Sequence, residues 1–178
     1  MTEASDEELM LAYRAGDAAA FERLYARHRT RLFRFVLRSI KVRAVAEELY
    51  QEIWMRLIEA RASYTPKARF TTWLYTIAHN YLVDHWRKRG LNLVALDGED
   101  VAGASPDPAD HAEAREALSR FAHALEALPA LQREAFLLHE EGGLTVVEIA
   151  AATGAGEEAA KSRLRYALAK LKAAVNDG

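Results

Sequence analysis

The chain has 178 residues, 51% of them hydrophobic, which is enough apolar material for one medium-sized core or two small ones. It contains no cysteine, and this excludes disulfide bonds, thiolate metal sites and thiol chemistry. The acidic N-terminal segment 1–10 lacks the basic and apolar regions of a secretory signal, and no apolar run approaches the roughly 18 residues that span a bilayer, so we expect a cytoplasmic protein.

The formal net charge of −2 conceals an uneven distribution along the chain. Residues 1–90 hold 16 Lys/Arg against 11 Asp/Glu, whereas residues 91–116 hold one basic residue against seven acidic ones. Residues 117–178 are nearly balanced, but the segment 161–172 within them contains five basic residues and no acidic one. Basic segments on both sides of an acidic spacer indicate that nucleic acid is a candidate partner.

Apolar residues recur at three- and four-residue steps along almost the whole chain, and no convincing strand-like alternation is present, so the sequence predicts an all-α protein. Ser5 and Glu8 have the spacing of a capping box that begins a first helix at about Asp6, and this helix is predicted to end near Gly16. Asp17 is the predicted cap of the next helix.

Three apolar stripes predict the remaining helices of a first domain, residues 5–90, at 17–40, 45–57 and 71–90. Pro66 marks the break before the last of these helices, and either Thr71 or Thr72 is predicted to cap it. Four helices around one core are therefore expected for the first domain.

Residues 91–110 lose this periodicity and contain two glycines, two prolines and five acidic residues, which is typical of a flexible linker. A second domain, residues 111–176, follows, with helices predicted at about 111–127, 130–140, 145–153 and 157–175. A short helix, the glycine-bearing turn 154–156 and a longer basic helix have the arrangement of a helix-turn-helix, whose second helix enters a major groove.

The fourth predicted helix combines residue types that suit single-stranded nucleic acid. Unpaired bases stack on aromatic rings, cationic side chains hold phosphates, and an amide can hydrogen-bond a base edge. The residues predicted to lie away from its core stripe, or at its end, are Thr72, Tyr75, His79, Asn80, Trp86, Arg87, Lys88 and Arg89. In the alternative interpretation, Tyr75 and Trp86 cover a neighbouring helix. Trp73 and Tyr81 are expected to be core residues.

Two other helices carry polar faces. The face of the third helix is either simply solvated or a binding surface, and it comprises Glu48, Gln51, Glu52 and Arg56. The last helix offers candidates for phosphate and base-edge contacts, which are Lys161, Ser162, Arg163 and Arg165. Glu157 and Glu158, at the start of that helix, favour its dipole but would repel a nearby phosphate.

Catalytic signatures are absent from the sequence. It contains no Walker loop, no HExxH and no GxSxG, and the six histidines show no convincing metal-ligand spacing. Two sets, His79 with His85 and Asp110 with His111 and Glu113, could bind a metal adventitiously at most. We therefore expect no catalytic residue, no metal and no cofactor.

Four segments, taken together, closely resemble the extracytoplasmic-function, or group IV, sigma factors of bacterial RNA polymerase. They are AGDAAAFERLY (15–25), AEELYQEIWMRL (46–57), FTTWLYTIAHNYLVDHWRK (70–88) and LTVVEIAAATGAGEEAAKSRLRYALAKLK (144–172). Their order and spacing cover essentially the whole chain. The resemblance implies a sigma-two domain at about 10–90 and a sigma-four domain at about 112–176.

The resemblance also implies roles for particular residues. Glu48, Gln51 and Glu52 match the family segment that docks on the coiled-coil of the polymerase β′ clamp. Asn80 matches a position that would hold an unpaired base of the minus-ten element, with Tyr75, Arg87 and Lys88 as its surroundings.

For the second domain, Lys161, Ser162 and Arg163 match the signature of the recognition helix that meets the minus-thirty-five duplex, and Arg165 lies beside them. The remainder of that domain would rest on the β flap. The linker acids Asp97, Glu99 and Asp100 resemble those of linkers that run towards the RNA path. An anti-sigma factor is a further partner that the resemblance implies.

Two positions depart from the family pattern. Glu48 stands where aspartate is commoner, and residues 158–160 replace the more usual Gly-Thr-Val before Lys161. Two other functions remain as alternatives: a helix-turn-helix regulator that binds operators independently of polymerase, and a protein-interaction bundle such as an adaptor.

Overall fold

The computed structural model describes residues 2–90 and 113–177. Within these ranges all regular structure is helical. The helices are α1 (Asp6–Arg14), α2 (Ala18–Ile40), α3 (Arg43–Ala60), α4 (Phe70–Lys88), α5 (Glu113–Ala127), α6 (Ala130–Glu140), α7 (Val146–Thr153) and α8 (Glu157–Asn176), with a 3-10 turn at Arg61–Ser63. None of the helices in the described ranges has both the length and the apolar character needed to cross a membrane. The predicted linker and its acidic residues, together with Asp110 and His111, lie outside the described residues.

The first two helix starts confirm the capping predictions. Ser5 accepts a hydrogen bond from the Glu8 amide at 3.1 Å, and the Glu8 carboxylate accepts one from the Ser5 amide at 2.9 Å. Asp17 caps α2 by accepting a hydrogen bond from the Ala19 amide at 3.0 Å. Each cap pairs an amide at a helix N-terminus that would otherwise have no hydrogen-bond partner within the helix.

The predicted cap of α4 is wrong. This helix begins at Phe70. Its N-cap residue is Arg69, whose side chain makes no capping hydrogen bond. Instead, the Phe70 amide donates to the carboxylate of Glu7, 3.1 Å away on α1. Thr71 and Thr72 are both buried inside the helix. The first turn of α4 is therefore held by a tertiary contact.

Helices α1–α4 form a first helical unit, whose core is built from fully buried apolar side chains such as Leu24, Phe35, Ile53, Leu57 and Leu74. Helix α1 is fastened to α2 by polar contacts. Asp6 accepts a hydrogen bond from Arg27 at 3.0 Å and lies 2.9 Å from His28 Nε2. The hydrogen bond from His28, followed by its charge and that of Arg27, lowers the pKa of Asp6 although burial opposes this.

Helices α5–α8 form a second unit around the buried helix α6. Thr145 and Glu148 form a second capping box at the start of α7, and Gly154 ends this helix in the left-handed region, at φ 69°. Helix α8 follows after Ala155 and Gly156 and packs against α5, where Arg120 donates to the Ala174 carbonyl at 3.1 Å. The predicted helix-turn-helix is present as α7, the turn and α8.

The two units pack directly on each other. Helix α4 contacts α7, α2 contacts α6, and the buried apolar residues of both units belong to one continuous cluster. The sequence predicted the two sets of helices but gave no information on this arrangement, because no local pattern specifies which faces of separate units meet.

Candidate nucleic-acid interface

The exposed side of α4 presents Asn80, Arg87 and Lys88, as the sequence predicted. Lys88 Nζ lies 3.0 Å from the Asp84 carboxylate, whose hydrogen bond and charge raise the pKa of Lys88. Burial, followed by the charges of Arg89 and Lys88, lowers the pKa of His85. The C-terminal end of this helix is thus a cationic surface in which His85 tends to remain neutral.

The exposed Asn80 lines an open cavity of about 230 Å³ between α3 and α4. Trp73 and Tyr81 also line this cavity. Trp73 was predicted to be a core residue, but it is only half-buried. Arg56 of α3 lines it as well, together with Ala60, Ser63 and Ile77. An amide, aromatic rings and a guanidinium around one opening can stack and hydrogen-bond a planar heterocycle.

Three residues of this cavity were not predicted to meet there: Arg56, Ser63 and Tyr81. Arg56 is on the predicted polar face of α3, and Tyr81 was expected in the core. The cavity is lined from α3, the 3-10 turn and α4, and helical spacing within one helix carries no information about how separate elements meet.

The predicted outward face of α4 is wrong for four residues. Tyr75 is 1% exposed, with its ring at 89° to that of Phe35 and 5.2 Å away, and burial raises its pKa. Thr72 donates to Glu148 at 3.0 Å, and His79 Nδ1 lies 2.8 Å from a Glu134 oxygen. Trp86 is also buried.

The reason is that α4 is covered on two sides. One face packs on its own unit, and the face with Thr72 and His79 meets α6 and α7 of the second unit. The alternative interpretation, that Tyr75 and Trp86 lie beneath neighbouring elements, agrees with their burial. In this arrangement the Tyr75 ring is inaccessible to DNA.

The polar face of α3 is exposed as predicted, at Glu48, Gln51 and Glu52. Met55, on the same helix and 55% exposed, adds a large apolar side chain that the sequence analysis did not single out. The carboxylates would repel phosphates, whereas an exposed methionine is a side chain enriched at protein-binding surfaces.

On α8, Lys161 and Arg165 are exposed, whereas Ser162 and Arg163 are half-buried. The Arg165 guanidinium lies over the Tyr166 ring, 5.3 Å from its centroid. The two acidic residues of the first turn, Glu157 and Glu158, are also exposed. The basic surface therefore begins one turn into the helix.

Within residues 2–90 and 113–177, no group of three or more histidine or acidic side chains is placed to hold a metal ion. His79, one of the two histidines considered as adventitious ligands, is instead buried next to Glu134.

Comparison with known proteins supports this organisation. The Sigma-70 region 2 family model matches residues 24–91, and the Sigma-70 region 4 model matches residues 118–171. The RNA polymerase sigma factor CarQ of Myxococcus xanthus is 36% identical over 166 residues, 92% of this chain and 93% of CarQ. The extracytoplasmic-function sigma factor SigK of Mycobacterium tuberculosis is 32% identical over 173 residues, 94% of this chain and 92% of SigK.

Two solved structures have the same fold. CnrH, in complex with the cytosolic domain of CnrY, matches with a TM-score of 0.70 at 25% identity, covering 98% of this chain and 99% of CnrH. The sigma factor RpoE of Bartonella quintana, in complex with the anti-sigma factor NepR, matches with a TM-score of 0.67 at 26% identity, covering 87% and 96% of the two chains.

Proposed function

This chain belongs to the extracytoplasmic-function sigma factors of RNA polymerase, and we propose that it docks on core polymerase through α3, captures unpaired minus-ten bases beside α4 and contacts the minus-thirty-five duplex with α8. As an alternative sigma factor it directs the polymerase to promoters, so the alternative of a polymerase-independent regulator is wrong.

One observation supports base capture: Asn80 lines the same cavity as Trp73, Tyr81 and Arg56. A base that leaves the duplex can stack on the aromatic walls and hydrogen-bond the Asn80 amide. Stacking on an aromatic side chain contributes about 1–3 kcal/mol per base, so a few captured bases offset much of the cost of strand separation. Arg87 and Lys88 would hold the adjoining phosphates.

Core docking is assigned to Glu48, Gln51 and Glu52, with the coiled-coil of the β′ clamp as the partner surface. Their exposure on one face of α3 and the neighbouring Met55 support this assignment. The acidic side chains would meet basic residues of the clamp, and the methionine would supply apolar contact at the centre of the interface.

Duplex recognition is assigned to Lys161, Ser162, Arg163 and Arg165 of α8, with lysine suited to phosphate and arginine to guanine. In this proposal residues 5–90 are the sigma-two domain, 91–110 the linker and 111–176 the sigma-four domain, which also rests on the β flap. Tyr75 contributes to minus-ten binding only after the second unit has moved away from α4.

An anti-sigma factor is proposed as a further partner, because the similar protein RpoE was solved with the anti-sigma factor NepR, and CnrH with the cytosolic domain of CnrY. We place the action of the protein in the cytoplasm, where the polymerase works. Its mechanism is binding that shifts the promoter towards the open state, without a chemical step and without a cofactor.

Run-off transcription with purified core polymerase on a genomic promoter library tests the proposal. We expect new transcript starts that share two spaced upstream elements. Asn80→Ala should lower their yield about tenfold with core binding unchanged, because loss of one hydrogen bond to a captured base removes roughly 1–2 kcal/mol. Asn176→Ala, at the exposed end of α8, is the matched control. Equal yields from both variants at limiting concentration would exclude the role of Asn80.

A further inference from the structure

The segment between α3 and α4, residues 61–69, forms one side of the cavity beside Asn80, and we refer to it as the connector. Its Ser63 lines the cavity. Eight of its nine residues are exposed, and Tyr64 alone is buried. A segment with one buried side chain has few packing contacts of its own to fix its conformation. The shape of this side of the cavity therefore depends on what holds the connector in place.

Helix α1 holds the connector at its middle and at its end. Arg14, in the last turn of α1, donates from Nη1 to the Tyr64 carbonyl at 2.7 Å. Glu7, in the first turn, accepts a hydrogen bond at 3.1 Å from the amide of Phe70, the residue directly after the connector. Hydrogen bonds with a charged partner are stronger than those between neutral groups. One helix thus fixes the backbone of the connector at two points.

The start of the connector also contacts α1. The Arg61 guanidinium lies over the Tyr13 ring, 5.5 Å from its centroid, and Arg61 Nη1 donates to the Ile58 carbonyl at 2.9 Å. Helix α1 itself is fixed to its unit by Leu9 and Met10, which are almost fully buried. The connector is therefore attached at its start, middle and end to an element that the core holds.

The Tyr64 ring links this attachment to the wall of the cavity. It is 0% exposed and packs edge-on against the Trp73 indole, with 5.0 Å between ring centroids and 69° between ring planes. Trp73 in turn lines the cavity. Because Tyr64 is fully buried and Trp73 only half-buried, Tyr64 supports the indole from the core side.

The hydroxyl of Tyr64 does not account for the position of this ring. It is buried, and it has no hydrogen-bond partner within residues 2–90 and 113–177. Burial, followed by the charges of Glu7 and Asp6, raises the pKa of Tyr64 to about 12, so the hydroxyl stays protonated at neutral pH. The ring is held by packing, and its backbone is held by Arg14.

We propose that α1 is the positioning element of base capture, in which Arg14 holds Tyr64 behind the Trp73 wall of the cavity and Glu7 holds the first turn of α4. Neither Arg14 nor Glu7 lines the cavity, so both act through other residues. The inference rests on the proposed function, because it concerns the same cavity. The apparent affinity for a base scales with the fraction of molecules in which the cavity is already formed, and the two α1 residues raise this fraction.

Binding of single-stranded oligonucleotides to the complex of this protein with core polymerase tests the positioning role. One dye-labelled strand carries the minus-ten element of a promoter mapped by transcript starts. A second strand has an abasic site in place of the base whose removal weakens binding most. The ratio of the two affinities measures the part of binding that depends on the base.

The variants are Arg14→Ala and Arg14→Lys, and the matched control is Arg23→Ala. Arg23 is an exposed residue of the adjacent helix α2, where it lies 3.9 Å from the Glu3 carboxylate in a surface ion pair. Each alanine variant removes one positive charge, but only Arg14→Ala releases the connector. Circular dichroism melting checks that every variant is folded at the assay temperature.

We expect Arg14→Ala to lower the affinity for the intact strand about fivefold, with core binding unchanged. Its affinity for the abasic strand should equal that of Arg23→Ala. Lysine still offers a charged donor to the Tyr64 carbonyl, so Arg14→Lys should recover most of the loss. Removal of a charge alone would weaken both strands equally, because attraction to phosphates does not depend on the base.

Two substitutions of Tyr64 separate its ring from its hydroxyl in the same assay. Tyr64→Phe keeps the ring and loses only the unpaired hydroxyl, so it should bind both strands as the unsubstituted protein does. Tyr64→Leu removes the ring behind Trp73, and it should lose affinity for the intact strand as Arg14→Ala does. If Tyr64→Leu does not fold, the comparison of Arg14→Ala with Arg14→Lys still decides.

Quenching of tryptophan fluorescence by acrylamide follows the cavity wall in the free protein, without DNA or polymerase. Of the three tryptophans, Trp54 and Trp86 are only 5% and 4% exposed, so acrylamide reaches mainly Trp73. Acrylamide is neutral, so removal of an arginine does not change its local concentration. Quenching should be greater in Arg14→Ala than in Arg23→Ala.

Equal affinities of Arg14→Ala and Arg23→Ala for the intact strand, or an equal loss on both strands, would overturn the positioning role. A loss of affinity without a change in quenching would overturn the route through Tyr64 and Trp73. If the unsubstituted complex binds intact and abasic strands equally, the proposed base capture fails. Quenching then decides the role of α1 alone: a rise specific to Arg14→Ala supports it, and equal quenching overturns it.

Discussion

Gly142 and Gly143, which lie between α6 and α7, are required for two different physical reasons. Alanine substitution at each position distinguishes these reasons. A Cβ at Gly142 would lie 2.6 Å from the Leu138 carbonyl oxygen, 2.9 Å from Leu144 Cδ1 and 3.3 Å from the Tyr75 ring. A Cβ at Gly143 would meet nothing within 4 Å, but this residue has φ +66°. Gly142 is therefore required for space, and Gly143 for its backbone conformation.

The expected costs follow from these two causes. Because the nearest atom to Gly142 is backbone of the last turn of α6, it cannot rotate away, and Gly142→Ala should destabilise the protein by about 2–3 kcal/mol. Gly143→Ala should cost about 1 kcal/mol, the ordinary penalty of a left-handed residue with a side chain. At roughly 2–4 °C per kcal/mol for a chain of this size, melting temperatures should fall by about 4–12 °C and 2–4 °C.

Asparagine distinguishes the two mechanisms. It tolerates the left-handed region, so Gly143→Asn should be more stable than Gly143→Ala, whereas Gly142→Asn should be less stable than Gly142→Ala because it adds volume. Calorimetric melting of the four purified variants is the assay. If asparagine and alanine ranked in the same order at both positions, this assignment of space and conformation would be refuted.

Two further predictions concern a helix contact and DNA recognition. The lowered pKa of Asp6 means that this group stabilises the fold above its unfolded pKa of about 3.8 and loses that contribution as pH falls through the lower folded pKa. The difference in unfolding free energy between the unsubstituted protein and Asp6→Asn, measured by urea titration, should hence shrink as the pH falls below about 4; a difference that grew in this range would contradict the sign. Arg163→Glu should weaken the upstream part of the polymerase footprint about tenfold or more, with Asp177→Asn as an unaffected control, and an unchanged footprint would rule out contact of this helix with the upstream element.

Helix boundaries were predictable where the capping group is local. Ser5 with Glu8 and Asp17 each lie within three residues of the amides they pair, and both capping predictions are confirmed. The start of α4 was not predictable, because its first amide is paired by Glu7, 63 residues earlier in the chain. The spacing of residues within one helix gives no information about a hydrogen-bond partner so distant in the sequence.

In the candidate site, too, a residue's environment was predictable only where a single helix determines it. Exposure of Asn80 follows from the helical period of α4, since the apolar stripe of this helix alone places it outside the core. The burial of Tyr75 and His79 depends on the second unit, because α6 and α7 cover a face of α4 that the first unit leaves free. The apolar pattern of one helix indicates only one core direction, so it placed both residues on the opposite face and left open whether Tyr75 covers a neighbouring helix.

Base capture beside Asn80 is tested most directly by placing 2-aminopurine in the minus-ten element of a promoter mapped by transcript starts, and following its fluorescence when core polymerase and this protein are added. We predict that fluorescence rises as the base leaves the stack, and that Asn80→Ala lowers the amplitude about tenfold at equal occupancy while Asn176→Ala does not. An undiminished rise with Asn80→Ala would contradict capture of the base at this cavity.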